Sequence, residues 1–248
     1  MAELKGKVAV VTGASKGIGA AIAERFGAEG AKVVVNYASD RAGAEKTVSK
    51  IKQAGGEAIA VQGNVAKKQD VERIFAETKK AFGKLDVLVN NAGIYEFKPL
   101  EEIDEAHFRR QFDTNVLGLL YATQAAVKSM NGSGSIINVG SIASKTPTPT
   151  GSVYAGTKAA VDVITRSLAQ ELGARKIRIN ALSPGFTITE GVKTAGAEQA
   201  FGEYAVSRTP LGRPGVPDDI AKAAAFLASD DSGWITGEEI LVGGGIRF

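Results

Sequence analysis

The stretch SVYAGTKAAVD, residues 152–162, sets Tyr154 and Lys158 four positions apart among alanine and glycine. Four residues is just over one helical turn, so on a helix the two side chains lie along one side. A titratable hydroxyl then stands beside a permanent cation. The same spacing also makes a surface tyrosine packed on a lysine stem, and the pair alone does not choose. A second stretch, TGASKGIGAAIAERF, carries Gly13, Gly17 and Gly19 in a G-x-x-x-G-x-G spacing, with Ser15, Lys16 and Ile18 between them. Glycines let the backbone turn tightly and approach a pyrophosphate with no Cβ in the way. A helix beginning near Gly17 aims free N–H groups and the positive end of its dipole at such an anion. Between a first strand and a first helix, this turn reads as a nucleotide site.

Positioning these groups falls to a regular alternation along the chain. Short β-branched runs recur: KVAVV (7–11), KVVVN (32–36), EAIAVQ (57–62), LDVLVN (85–90), SIINV (135–139), IRINAL (177–182) and EEILVG (238–243). Most are nearly continuous apolar runs, as parallel strands covered on both faces require. Helical patterns lie between them at 17–29, 41–54, 68–82, 104–130, 154–173 and 217–229. The alternation predicts a doubly wound α/β fold of Rossmann type, with about seven parallel strands and right-handed crossovers. No Pro/Ser-rich linker divides the chain, so residues 1–248 are expected to form one domain. The segment 186–215 breaks the rhythm after a strand's carboxyl end. Open α/β sheets bind ligands there, and the segment is expected to act as a substrate lid.

Composition removes several alternatives. Thirty Lys and Arg against 27 Asp and Glu leave a net charge of +3, with no basic run interleaved with aromatics, so nucleic-acid binding is not expected. There are no cysteines and one histidine, His107, with no partner at ligand spacing, which closes off thiolate or zinc sites and a Ser-His-Asp mechanism. The first residues lack a signal peptide's pattern and no apolar run approaches the ~18 residues of a membrane span, so a cytoplasmic protein with no membrane partner is expected.

The second strand bears on the choice of dinucleotide. NAD-specific folds usually end it with an acid on the ribose 2′-hydroxyl. Here Asn36 stands there, followed by YASDR, with no carboxylate placed to repel a 2′-phosphate. Lys16, Tyr37, Ser39 and Arg41 supply donors and charge. Ser39 or Asp40 equally caps the helix beginning near Arg41, and Asp40 is a mild counter-argument.

The ordered set TGASKGIG (12–19), NNAG (90–93), DTNVLG around Asn115, INVGS (137–141), YAGTK (154–158) and SPGFT (183–187) resembles the short-chain dehydrogenase/reductase family over essentially the whole chain. The tail WITGEEILVGGG (234–245) is similar to the family's usual end. The chain resembles in particular the family's 3-oxoacyl-carrier-protein reductase-like and glucose dehydrogenase-like members. The resemblance implies NADP(H)-dependent interconversion of a secondary alcohol and a ketone, with no metal. It implies that Tyr154 is the acid/base and that Lys158 favours its ionised form and hydrogen-bonds the nicotinamide ribose. It gives Ser141 the substrate oxygen and Asn115 a water that relays protons through the lysine. An ammonium beside a phenol whose ordinary pKa is about 10 favours ionisation. Cofactor contacts carried over are Asn64 and Val65, where the family commonly has Asp-Val; Asn91, Ala92 and Gly93; and Pro184, Gly185 and Thr187, the last equally a turn residue. Gly243 departs from the family's usual acidic or amide residue.

Two further expectations concern partners. The helical patterns at 104–130 and 154–173 are apolar on more than one side (Phe108, Phe112, Val116, Leu119, Val127; Val163, Ile164, Leu168), which leaves a face to bury; the resemblance implies that these helices pair into a homotetramer, with a dimer as the fallback. Carrier-protein reductases present basic residues near the active-site mouth, in the turn before the fifth strand and after the Tyr-Lys helix. Here the turn SMNGSG (129–134) has no charge, Lys128 belongs to the preceding helix, and only Arg175 and Lys176 offer the second site. A small free carbonyl or alcohol is therefore the expected substrate, and reduction of 3-oxoacyl groups on acyl carrier protein is the alternative. Enoyl-thioester reductases space their tyrosine and lysine more widely than YAGTK.

Overall fold

The structure is a computed structural model that describes residues 3–194, 202 and 206–246. One parallel sheet of seven strands carries the fold, in the order β3-β2-β1-β4-β5-β6-β7. The strands are β1 Val8–Val11, β2 Lys32–Tyr37, β3 Glu57–Gln62, β4 Val87–Asn90, β5 Gly134–Val139, β6 Ile177–Pro184 and β7 Glu239–Val242. The predicted strands are met to within two residues at each end. Side chains alternate between the sheet's faces. Ala9, Val11, Val33 and Val35 pack under α1 (Gly17–Ala28), α2 (Arg41–Gln53) and α8 (Pro217–Ala228). Val10, Val34 and Leu88 pack under α3 (Lys68–Phe82), α5 (Gly118–Ser129) and α6 (Ser152–Leu172). Because both faces are covered, β1 and β4 are apolar at nearly every position and wholly buried.

Strand order reverses between β1 and β4. At such a switch point the adjoining crossovers leave to opposite faces and open a crevice at the strands' carboxyl ends. A buried amide ladder fixes the helices on one side of it. Asn90 Nδ2 donates to Asn138 Oδ1 at 2.9 Å and to Thr123 Oγ1 of α5 at 3.0 Å, and Asn138 Nδ2 donates to Thr165 Oγ1 of α6 at 2.9 Å. These bonds set the heights of α5 and α6 against β4 and β5.

The pattern at 104–130 is not one α-helix. It divides into α4 (Glu105–Phe112), a π-helical turn (Asp113–Leu117) and α5. A single π turn is frequent at functional sites, and Asn115 lies inside this one. In the predicted lid, Ile188 N–H donates to the Gly215 carbonyl and Gly215 N–H to the Phe186 carbonyl, at 2.9 Å each, so the two ends of the segment are zipped together. A short helix α7, Glu190–Thr194, rises from that base. The middle of the lid, 195–201 and 203–205, lies outside the described residues.

Candidate active site

Ser141 stands two residues past β5 in extended backbone and accepts the Ala143 N–H at 3.1 Å, capping a short 3-10 turn. The same hydroxyl lies near enough to Tyr154 to lower its pKa. Tyr154 and Lys158 occupy the first two turns of α6, and Lys158 Nζ lies 5.8 Å from the centroid of the Tyr154 ring. Lys158 is buried and donates to the Val139 carbonyl at 2.8 Å. The ammonium thus bolts α6 to the end of β5, the same end that delivers Ser141. Serine, tyrosine and lysine converge as the sequence predicts.

The electrostatics differ from the expectation. Burial pushes the Tyr154 hydroxyl above its ordinary value, the Ser141 hydroxyl pulls it back, and Tyr95 adds a small upward push. Burial likewise pulls Lys158 down to about 8, opposed by the Asp162 carboxylate. In the polypeptide itself, burial is the largest influence on the phenol. Tyr154 therefore holds its proton, the state a donor to a carbonyl oxygen needs.

The Asn115 side chain is built into the frame of the site. Its Nδ2 donates to the Ile94 carbonyl at 2.8 Å and to Thr157 Oγ1 at 3.0 Å, and its Oδ1 accepts the Ile94 N–H at 2.8 Å. Both amide hydrogens are spent on the loop after β4 and on α6. The residue ties those segments together across the site.

The glycine turn is a cradle. Gly13 has φ +62° and Gly17 φ +61°, and a Cβ on Gly13 would stand 2.8 Å from Ala92 Cα. A Cβ on Gly19 would collide with Asn91 Nδ2 and the Gly13 carbonyl. Asn91 Nδ2 instead donates to the Thr12 and Gly13 carbonyls at 2.9 and 3.0 Å. Thr12 Oγ1 accepts the N–H groups of Asn91 and Ala92, each at 3.0 Å. Thr12 was not singled out in the sequence. Its signal is a hydroxyl closing an apolar strand immediately before a glycine. Helix α1 then starts at Gly17 with no side-chain cap from Lys16, so no side chain serves its first N–H groups. A backbone kept bare of Cβ atoms beneath an uncapped helix start fits a dinucleotide pyrophosphate.

Other predicted contacts sort into those facing the cleft and those spent within the fold. A cavity of about 370 Å³ beside the turn is lined by Ser15, Lys16, Gly17, Asp40, Gly43 and Thr189. Ile18 packs against the core. Asn36 is buried, accepts the Gly13 N–H at 3.3 Å and donates to the Val61 and Gly63 carbonyls at 3.2 and 3.0 Å. It therefore shapes the turn and presents no free donor to a ribose. Tyr37 is buried, and exposed Arg41 pairs with Glu45 at 2.7 Å. Asp40 caps α2 by accepting the Gly43 N–H at 3.0 Å, and Ser39 makes no side-chain cap there. Asn64 Oδ1 accepts the Ala66 N–H at 3.0 Å, and Val65 is buried under Gly118. Thr187 Oγ1 donates to the Gly185 carbonyl at 3.0 Å, its turn role. A Cβ on Gly185 would stand 2.7 Å from Gly243 Cα, and one on Gly243 would stand 2.7 Å from Ile246 Cγ2. Gly243 thus belongs to a close crossing of the chain beside Pro184. A Cβ on Gly93 would stand 3.3 Å from Asn115 Oδ1.

Tyr95 and Phe97, also missed, follow the NNAG run. Their ring centroids lie 6.3 and 6.2 Å from that of Tyr154, and they are 51% and 52% exposed. The loop bearing them is gripped from α4. Gln111 exchanges hydrogen bonds with the Glu96 backbone at 3.2 Å, and Arg110 grips the Glu96 carboxylate at 2.8 and 3.2 Å.

One expectation is corrected by position. The turn 129–134 and residues Arg175 and Lys176 sit at the amino ends of β5 and β6, whereas Ser141 follows the carboxyl end of β5. A strand of that length separates them by roughly 20 Å. Within one chain these basic residues do not border the mouth, and Arg175 folds onto the end of α5, donating to the Val127 carbonyl at 2.7 Å. A cavity of about 530 Å³ at that far edge, beside Lys7, Asp86 and Arg178, contains no residue of the catalytic set.

Residues 13–247 match the family model described as enoyl-(acyl carrier protein) reductase. The chain is 55% identical over 248 residues to an uncharacterized oxidoreductase of Methylorubrum extorquens, covering 100% of both. It is 40% identical over 253 residues to versicolorin reductase 1 of Aspergillus parasiticus, covering 98% of this chain and 97% of that one. Among solved structures, a Serratia marcescens short-chain dehydrogenase/reductase double mutant superposes with a TM-score of 0.91 at 36% identity, over 98% of each chain. A shared backbone, shared length and a matched model from one end to the other agree with the cradle and the serine–tyrosine–lysine corner: the chain belongs to the short-chain dehydrogenase/reductase family.

Proposed function

We propose that this oxidoreductase is a cytoplasmic, NADP(H)-dependent enzyme that interconverts a secondary alcohol and a ketone. The observation that carries the reading is the meeting of Tyr154 with Lys158, whose Nζ lies 5.8 Å from the tyrosine's ring centroid and is held on the Val139 carbonyl, at the strand end that delivers Ser141. Bound in the glycine cradle, the nicotinamide cofactor supplies or accepts the hydride. The chain does the rest. Ser141 donates to the carbonyl oxygen and stabilises the charge that develops there. Tyr154 gives that oxygen its proton during reduction and takes it back during oxidation. Lys158 supplies the nearby positive charge and has donors left for the ribose. The matched family model is described as an enoyl reductase. A tyrosine with its lysine only four residues on, beside Ser141 at the end of β5, suits a carbonyl oxygen better than a carbon–carbon double bond.

NADP(H) is favoured because β2 offers Asn36 where NAD-specific folds usually place an acid, and basic Lys16 stands in the glycine turn. Asp40 is occupied as a helix cap, while Lys16 borders the cavity at the turn. A charge-assisted hydrogen bond contributes about 1.5–3 kcal/mol, so one contact favours NADPH by roughly tenfold or more. Comparing kcat/KM for NADPH and NADH tests this, and a preference for NADH refutes it.

The half-exposed rings of Tyr95 and Phe97 favour a free carbonyl on a flat or cyclic skeleton over a carrier-bound chain. Versicolorin reductase 1, at 40% identity, is named for a reduction. The test offers one 3-oxoacyl group on carrier protein and on a short thioester mimic, beside a panel of cyclic ketones. A large preference for the carrier form, lost on Arg175→Glu and weakened by salt, establishes the alternative. Exposed Phe108, Leu117 and Val163 on α4, the π turn and α6 suit a homotetramer.

A further inference from the structure

Behind the catalytic corner lies a second charged cluster that this reaction scheme does not use. Asp162 stands on α6 one turn beyond Lys158, with a side chain only 4% exposed. A Cβ on Gly140, the residue before Ser141, would stand 3.4 Å from Asp162 Oδ1 and 2.5 Å from Ser183 Oγ. The carboxylate therefore lies directly beneath the strand end that carries Ser141. Both of those oxygens are buried with no hydrogen-bond partner of ordinary geometry. The Oδ2 atom lies 3.8 Å from Lys145 Nζ, and Lys145 also pairs with Glu239 of β7. A buried carboxylate with an unbonded oxygen is costly to keep. Burial disfavours its charge, the Ser144 hydroxyl, Lys145 and Arg166 support it, and Glu239 opposes it. Facing it from α6 itself is Lys158, on which it acts as the one influence opposing desolvation.

We propose that Asp162 is a positioning residue for Lys158: its buried carboxylate keeps the neighbouring ammonium charged, and Lys145, tethered by Glu239, keeps that carboxylate ionised. The chemical need rests on the carbonyl-reductase reading above. A lysine brought into an apolar helix face loses its proton too readily, and the corner needs it as a cation. The anion one turn deeper corrects this without touching substrate or cofactor. A carboxylate nearer the cleft would instead pair with the ammonium and take the donors meant for the ribose.

The test uses the full chain labelled with ¹³C at the lysine ε-carbons, with Lys158 assigned by comparison with Lys158→Met. In Asp162→Asn, the Lys158 midpoint is expected to fall by about one pH unit, a tenfold easier loss of the proton. The alkaline limb of kcat/KM for ketone reduction should fall with it, and Asp162→Glu should restore both. An unmoved midpoint, or a loss of kcat/KM uniform across pH, overturns the proposal in favour of a purely structural carboxylate. If Asp162→Asn does not fold, Lys145→Met at a half-exposed position carries the test. Its Lys158 midpoint falls in the same direction by less, and an unchanged midpoint overturns the proposal. Should the wild-type chain reduce no ketone, the carbonyl-reductase reading fails, while the lysine midpoint still decides what Asp162 does.

Discussion

Replacing Lys158 with methionine should abolish turnover yet leave the free protein at least as stable at neutral pH. Burial lowers this ammonium from its ordinary 10.5 to about 8. At about 1.4 kcal/mol per pH unit, the folded state carries ~3 kcal/mol of penalty for holding it. The bond to the Val139 carbonyl offsets part of this, with a charged donor worth about 1.5–3 kcal/mol. Methionine has similar length and no charge, so at pH 7 the two changes nearly cancel or favour the variant. The sign with pH is fixed by linkage. A lysine whose folded pKa lies below its unfolded one destabilises fully below pH 8, and the penalty fades as pH rises toward 10.5. Wild type should therefore gain about 2 kcal/mol on Lys158→Met between pH 7 and pH 10. Urea unfolding of both proteins at several pH values, without cofactor, reads the difference directly. A gap that stays flat over that range refutes the reasoning, because it means the folded lysine titrates like the unfolded one and burial carries no penalty.

Tyr154→Phe should lower kcat by roughly 10²–10⁴-fold while NADPH affinity, read by fluorescence titration, stays nearly intact; near wild-type turnover would contradict the assigned role. Gly19→Ala drives a methyl group into Asn91 Nδ2 and the Gly13 carbonyl, so it should weaken dinucleotide binding severalfold or more and cost about 1–3 kcal/mol in unfolding experiments. Light scattering at micromolar concentration should show a tetramer, and Val163→Glu on the exposed side of α6 should dissociate it; a monomeric wild type defeats that expectation.

Strands and the nucleotide turn were legible because their causes are local. A run such as VAVV is apolar at every position only when both faces of a strand are covered, and a glycine triplet after it has few other uses. The helix boundaries followed from the same periodicity. What stayed hidden depends on partners distant in sequence. Asn36 read as a cofactor contact because it stands near the end of β2, yet its amide is consumed by Gly13 and by Val61 and Gly63, which come from β3 and the residue just after it. Asp162 sits four residues after Lys158, where a surface ion pair is the ordinary reading. Only the arrival of Lys145, Glu239 and Ser183 from other segments shows it to be interior. The π turn was missed for a different reason. Its extra residue leaves the apolar pattern of 104–130 intact on both sides and shifts only the phase between them.

That phase has a consequence for how this chain tolerates change. Beyond the turn, α5 sends Ala122 and Ala126 toward the sheet, while before it α4 sends His107 and Gln111 toward the loop that carries Tyr95 and Phe97. The two halves are geared together by a single surplus position. Deleting one residue between 113 and 117 would leave a perfectly good helix, but one half would turn by about 100° against the other. An inventory of lost contacts would miss the damage, since no individual bond need break first. Apart from Asn115, the segment should accept substitutions more readily than a change in length by one, whereas adding or removing a whole turn of three or four residues elsewhere on the rod would keep the gearing.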